Sequence, residues 1–280
     1  MATLTSISRN DADESPGLRL ESDDASVVLA TAGGRVASLR VRGEELLAAP
    51  AGDAPRLLWG CYPMVPWAGR LRHGRFSFAG RDHQMPCDLP PHAIHGTGHH
   101  SEWEVVDAAT TRDAATMRLE LREPWPFGGW VEHRASLRGP ILTLTLAVHA
   151  VQSMPVVLGW HPCFRRQVAG REASLSFEPG FVWTRDADGI PNGARAPVPP
   201  RPWDDCFGDV AAPPVVSWPG FGSVTIRSPL TSWVVYDERT DVVCVEPQTQ
   251  PPDAFNHAPA VLDAGATMEV AMDICWEAER

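Results

Sequence analysis

The chain has 280 residues, of which 44% are hydrophobic and 21% are charged, proportions that are typical of a soluble globular protein. Its formal charge of −11 argues against a nucleic-acid partner and against binding to an anionic membrane surface, because both require a basic face. All 24 basic residues are arginine, and the absence of lysine excludes Schiff-base catalysis, a pyridoxal anchor and a phosphate-loop lysine.

The N-terminal segment is polar and acidic, and it lacks the apolar core of a signal peptide. The sequence contains no uninterrupted apolar run long enough for a membrane span. None of the six cysteines forms a C-x-x-C pair, which argues against a zinc knuckle or a thioredoxin motif. We therefore expect a cytoplasmic protein with reduced thiols, in which residues 1–16 form a flexible segment.

Short strand-like segments follow one another along the rest of the chain. Segments 26–31 and 35–41 flank two consecutive glycines, a pattern that indicates a hairpin. In the clearest pair, 130–137 and 141–148, the second segment alternates leucine or valine with other residues, as a half-buried strand should. Further candidates lie at 75–78, 117–121, 154–160, 173–177, 215–218, 223–227, 232–236, 242–246 and 267–276.

The 27 prolines and 23 glycines disfavour long helices, because an internal proline breaks a helix. No convincing amphipathic helix is present in the sequence. The proline-rich stretch 196–202 does not mark a change in composition, so we expect a loop there and not a linker. The sequence predicts a single all-β domain over residues 17–280, built as a large antiparallel β-sandwich with few helices.

Four of the ten histidines lie in the loop 92–100. The spacing of His92, His95 and His99 is compatible with metal binding. The glycines between them exclude an H-E-x-x-H helix, so we expect no metal centre here. On this interpretation His92, His99 and His100 lie on the surface of the loop.

Two further positions carry groups suited to proton transfer. His161 follows a strand-like run and precedes a proline, which places an imidazole at a strand end. Glu246 follows four apolar residues, where a carboxylate is costly unless an arginine pairs with it or its pKa is raised. Arg70 comes after two small residues, in a turn that has little bulk to cover it.

Taken in order, six segments resemble the aldose 1-epimerase (galactose mutarotase) family across residues 18–276. The segments are Pro66-Trp-Ala-Gly-Arg-Leu71, Ile94-His-Gly96, Gly159-Trp-His-Pro-Cys-Phe164, Asp204-Asp-Cys-Phe207, Glu246 with Pro252-Asp-Ala-Phe-Asn256, and Leu262-Asp-Ala-Gly265. The fold implied by the resemblance is that family's large antiparallel β-sandwich, which agrees with the strand count.

The resemblance also implies an activity, the interconversion of the α and β anomers of a hexose by acid–base ring opening. It places the base on Glu246 and the acid on His161. It assigns Arg70, His95 and Asp204 to substrate binding, and Asp205 could take the place of Asp204. It implies a small-molecule sugar as partner and no metal or other cofactor, for a chain that acts as a monomer or a homodimer.

Three further functions remain open, and departures from the family pattern bear on the first of them, which concerns the identity of the sugar. Cys163 replaces the usual tyrosine after His-Pro, and Arg165 and Arg166 stand where small polar residues are common. Together with Arg72 and Arg75, these arginines suit a hexose-phosphate 1-epimerase of the same superfamily. A carbohydrate-binding protein without catalysis and a metal-dependent β enzyme built on the 92–100 loop are also compatible with the sequence.

Overall fold

A computed structural model describes residues 17–50 and 56–279, so the segment 1–16 expected to be flexible lies outside the described residues. Within the described part, the chain forms 27 strands and no α-helix. The strands are β1 (Gly17–Glu21), β2 (Ala25–Ala30), β3 (Arg35–Val41), β4 (Glu44–Glu45), β5 (Cys61–Met64), β6 (Arg70–Leu71), β7 (Arg75–Phe78), β8 (Arg81–Gln84), β9 (Ala93–Ile94), β10 (Glu104–Val105), β11 (Ala114–Glu120), β12 (Trp130–Arg138), β13 (Ile141–His149), β14 (Met154–Val156), β15 (Gly159–Arg165), β16 (Gln167–Val168), β17 (Arg171–Glu172), β18 (Ser174–Ser176), β19 (Pro179–Arg185), β20 (Pro191–Ala196), β21 (Asp204–Val210), β22 (Val215–Trp218), β23 (Gly222–Arg227), β24 (Ser232–Tyr236), β25 (Val242–Gln248), β26 (Ala260–Leu262) and β27 (Thr267–Ala278). Short 3-10 turns occur at Arg56–Leu58, Arg72–Gly74, Gly98–His100, Asp107–Ala109 and Ala254–Asn256.

Alternating burial explains the strands that were easiest to predict. In β12, Val131, His133, Ala135 and Leu137 are buried while the residues between them are partly exposed. This period of two places one face of the strand on the core. β12 pairs with β13 in antiparallel register from Trp130–His149 to Arg138–Ile141, which confirms the predicted pair.

Most strands join two antiparallel sheets. The large sheet has eleven strands in the order β1-β2-β3-β5-β15-β25-β24-β21-β19-β20, with β4 added beside β3. The second sheet has eight strands in the order β10-β11-β12-β13-β27-β23-β22-β18. The prediction of a large antiparallel β-sandwich with few helices is confirmed.

The hydrophobic core lies between these sheets. Val27, Phe207 and Val245 of the large sheet and Leu144 and Ile226 of the eight-stranded sheet belong to one continuous cluster of buried side chains. Sheets that share one core in this way pack as the layers of a sandwich. No helix within the described residues is long and apolar enough to cross a membrane.

The centre of the large sheet is enclosed on both faces. Every residue of β25 is buried, and so is every residue of β15 except its last, Arg165. One face of these strands contacts the core. Short segments around β6, β9 and the turn Gly98–His100 lie over the opposite face, held partly by a bridge between Val65 and Gly96. Polar side chains that point to this second face are therefore buried without entering the core.

Gly96 should be essential for this covering segment. It has a φ of +76°, and a Cβ atom there would lie 1.9 Å from the carbonyl oxygen of Val65. We expect Gly96→Ala to lower the free energy of unfolding by about 3 kcal/mol or more, because the bridge must break. Urea unfolding followed by tryptophan fluorescence measures the change.

Gly80 provides the matched control. Its φ is +73°, but nothing lies within 4 Å of a Cβ atom built there. Gly80→Ala should therefore lower the free energy of unfolding by only about 1 kcal/mol, the strain of a left-handed backbone. Equal losses in the two variants would show that the contact with Val65 is unimportant.

Candidate active site

A row of three side chains crosses the centre of the large sheet. Tyr62 of β5 is the cross-strand partner of His161 in β15. On the opposite side, the register between β15 and β25 pairs residue 159 with 248 and residue 163 with 244, which places His161 opposite Glu246. The two side chains meet, with His161 Nε2 3.1 Å from Glu246 Oε1. Strand pairing alone thus brings together residues that are far apart in sequence.

Both members of this pair are buried, with 4% of His161 and 2% of Glu246 exposed. Burial raises the pKa of Glu246 to about 7, with Cys163 and Asp204 adding to the rise and His161 and Arg70 opposing it. Burial alone would lower the pKa of His161, but the negative charges of Glu246 and Cys163 outweigh it and raise that pKa to about 9. Near neutral pH the pair therefore holds a protonated imidazole against a carboxyl group that is close to its own pKa.

Cys163 holds the second nitrogen of the His161 ring. Its Sγ lies 3.2 Å from His161 Nδ1 and 3.0 Å from Cys244 Sγ. Burial alone would raise the pKa of the Cys163 thiol, but a hydrogen bond from Cys244 and the charge of His161 lower it to about 6. The imidazole is thus fixed at both nitrogens, with Nε2 directed toward Glu246.

Tyr62 and Gln248 complete the surroundings of the pair, and neither was predicted from the sequence. The Tyr62 ring stacks on the His161 ring with 4.8 Å between centroids. Gln248 Nε2 donates a hydrogen bond to Glu246 Oε2 at 3.3 Å. The only sequence signal for Gln248 is its position two residues after Glu246, on the same face of the strand.

His95 stands at right angles to His161, with 4.9 Å between ring centroids and 78° between ring planes. Its backbone has a φ of +56°, in the left-handed region that few non-glycine residues occupy. His95 Nδ1 accepts a hydrogen bond from the backbone N–H of Gly69 at 3.2 Å. Burial is the main cause that lowers the pKa of His95 well below its usual value. The positive charges of the nearby His161, His99 and Arg70 lower it further. His95 is therefore neutral, with its proton on Nε2, where it can donate to a ligand.

Arg70 and Asp204 form an ion pair, with Arg70 Nη2 3.2 Å from Asp204 Oδ2. Both side chains remain partly exposed. Asp205 pairs instead with Arg185, at 3.0 Å. The contact with Arg70 favours Asp204 over Asp205 as the residue that matches the family segment. The five residues singled out from the sequence, Arg70, His95, His161, Asp204 and Glu246, thus lie in one region linked by direct contacts or electrostatic coupling.

The expectation for the histidine loop is partly wrong. His92 and His99 are buried, and only His100 is exposed. His92 Nδ1 accepts a hydrogen bond from the backbone of His73, and the turn Gly98–His100 is fastened by a hydrogen bond from Trp103 Nε1 to Gly98. The loop is buried because it covers the face of the large sheet that carries His161.

Three of the four arginines considered for phosphate binding have protein partners of their own. Arg72 contacts Asp186 and Asp188, and Arg75 Nε donates to the side chain of Gln84. Arg166 donates to three backbone carbonyls.

Known proteins share parts of the sequence of this chain or its fold. An Escherichia coli K12 protein, uncharacterized protein YphB, is 32% identical over 112 residues, a match that spans 37% of this chain and only 36% of that protein. Two solved structures share the fold at low identity. A galactose mutarotase-like protein from Clostridium acetobutylicum has a TM-score of 0.82 at 16% identity, over 93% of this chain and 95% of that one. Galactose 1-epimerase from Lactobacillus acidophilus NCFM has a TM-score of 0.80 at 15% identity, over 98% of each chain.

The sequence model of the aldose 1-epimerase family matches residues 17–275. This match covers all six segments on which the resemblance rests, and it confirms that resemblance. The chain therefore belongs to the aldose 1-epimerase family.

Proposed function

We propose that the chain is a mutarotase that interconverts the α and β anomers of a free hexose. The observation that carries the proposal is the buried contact of 3.1 Å between His161 Nε2 and Glu246 Oε1. Family membership supports an epimerase acting on sugars, and this pair supplies the acid and the base that anomer exchange requires.

The reaction consists of proton transfers around a ring opening. Glu246, as carboxylate, takes the proton from the C1 hydroxyl while His161, as imidazolium, gives its proton to the ring oxygen. The bond between C1 and the ring oxygen breaks, and C1 becomes an aldehyde. After rotation about the C1–C2 bond the ring closes on the opposite face of C1, and each group recovers its original proton state. A sugar between the two side chains would replace their direct contact with one hydrogen bond to each.

The remaining residues suit the binding of sugar hydroxyls. His95 Nε2–H and the Arg70 guanidinium are donors, and the Asp204 carboxylate is an acceptor. Positioning the ring between the acid and the base lowers the entropic part of the barrier. We expect the sugar to be the only ligand that the reaction requires, with no cofactor.

Charge pairing favours a free sugar over a sugar phosphate. Arg72 is held by three carboxylates and Arg166 by backbone carbonyls, so a phosphate would have to displace these contacts. The competing proposal is a carbohydrate-binding protein without catalysis. The pKa values of about 7 and about 9 for Glu246 and His161 favour the enzyme, because at neutral pH the imidazole carries a proton to give and the carboxyl group is partly ionised.

The first test removes the base. Glu246→Gln keeps the shape of the side chain but cannot accept a proton, so the enzymatic rate should fall by about 10²–10⁴-fold. Polarimetry of freshly dissolved α-D-glucose and α-D-galactose measures the approach to equilibrium rotation. Glu277→Gln, at an exposed position in the eight-stranded sheet, is the control and should keep the wild-type rate. A wild-type protein that binds sugar but leaves the rotation at the buffer rate would be a binding protein.

The second test is pH dependence. Activity should be lost as the pH falls through the Glu246 pKa of about 7, because the base becomes protonated. It should also be lost as the pH rises through the His161 pKa of about 9, because the acid loses its proton. We therefore expect a bell-shaped profile of kcat/KM with its maximum between these values.

Removal of Cys163 should shift this pH profile. The charge of Cys163 raises the pKa of both His161 and Glu246. In Cys163→Ala both limbs should shift to lower pH while catalysis persists. Cys275→Ala, which removes a buried thiol from the eight-stranded sheet, controls for loss of packing and should leave the profile in place. An unchanged profile in Cys163→Ala would show that the thiol does not tune the pair.

A further inference from the structure

A second cluster of coordinating side chains lies beside the catalytic pair, formed by Asp88, His99 and His100. One ligand atom from each residue can be chosen so that all three lie within 4.8 Å of one another. Asp88 Oδ2 is 2.8 Å from His100 Nε2 and 3.6 Å from His99 Nε2. We propose that these three residues bind one divalent transition-metal ion of the zinc type.

His99 gives the strongest reason. Its side chain has 0% exposure, and the contacts of its ring with Asp88 Oδ2, at 3.6 Å, and with the backbone of His95 fall short of full hydrogen bonds. A buried polar group without a partner lowers stability, and such groups are uncommon in folded proteins. A metal ion bound to Nε2 would replace its long contact with Asp88 by a coordinate bond.

The carboxylate is already oriented for this role. Asp88 Oδ1 accepts a hydrogen bond from the backbone N–H of Ile94 at 2.9 Å, which leaves Oδ2 directed at the two histidines. Supporting contacts of this kind orient metal ligands. Because 49% of the His100 side chain is exposed, an ion can reach the cluster from solvent.

The type of ion follows from the donor atoms and their spacing. Two imidazoles and one carboxylate form a ligand set that suits zinc, with a fourth position left for water, whereas calcium and magnesium prefer oxygen. Tetrahedral zinc with bonds of about 2 Å separates its ligand atoms by about 3.3 Å. The observed separations of 2.8 and 3.6 Å lie on either side of this spacing, and all three ligand atoms lie within 4.8 Å of one another.

The proposed site is distinct from the catalytic pair but adjoins it. The Tyr62 ring contacts both His99, at 5.4 Å between centroids, and His161, at 4.8 Å. An ion at Asp88, His99 and His100 would fix one neighbour of the ring that supports His161. The proposal does not depend on the mutarotase reaction, because zinc binding is measured without any sugar.

Isothermal titration of the full chain with zinc chloride tests the proposal. We expect one zinc ion per chain in the wild type and an affinity at least about tenfold weaker in Asp88→Asn and in His100→Ala. Both positions are partly exposed, and asparagine can still accept the hydrogen bond from Ile94 N–H, so both variants should fold. Circular dichroism checks the fold of each.

Two controls separate this site from the remaining histidines. His257, half-exposed and 3.8 Å from Asp253 Oδ2, reproduces an exposed histidine beside a carboxylate but lacks the buried third ligand. His257→Ala should bind zinc like the wild type, and so should Cys163→Ala, which removes the thiol beside His161. Zinc should also raise the Tm of the wild type more than that of Asp88→Asn. The proposal is overturned if the wild type binds no zinc or if Asp88→Asn and His100→Ala bind it with unchanged affinity.

Discussion

The burial of two ionisable groups in direct contact, His161 and Glu246, is the constraint on which the rest of the site depends. Removing charges from water is costly, and their mutual attraction offsets this only if the geometry is good. The contact of 3.1 Å is set by the register of β15 and β25 at the centre of the large sheet. Because the strands on either side fix that register, the sandwich as a whole holds His161 against Glu246.

The groups around the pair differ in what they contribute. Cys163 occupies His161 Nδ1, and Gln248 occupies one oxygen of Glu246, so each member has one side held by protein and one side directed at its partner. His95 has its Nδ1 occupied by backbone and remains neutral, so it adds a donor without adding charge. A site built in this way is preorganised for proton transfer, because little has to move except the protons and the ligand.

Sequence patterns predicted this fold well where the signal is local. Alternating burial in β12 and β13 follows directly from the residues, and the family segments carried His161, Glu246, Arg70, His95 and Asp204. Tyr62 was missed because its contact depends on the pairing of β5 with β15 across about a hundred residues of sequence. The burial of His92 and His99 was missed for the same reason. The composition of this loop, rich in glycine and histidine, predicts exposure, and its burial depends on long-range packing against the large sheet.

The excess of acidic over basic residues favours a neutral sugar over a phosphorylated one as the ligand. A chain with 35 acidic and 24 basic residues can satisfy each arginine near the site with a carboxylate, and it does so for Arg70, Arg72 and Arg185. Beside Glu246, the negative charge of Asp204 already contributes to the raised pKa. A phosphorylated sugar would bring further negative charge into this environment and would have to compete with Asp204 for Arg70. A neutral sugar instead adds hydroxyl groups that donate to Asp204 and Glu246 and accept from Arg70 and His95, so it can bind without breaking the charge balance of the site.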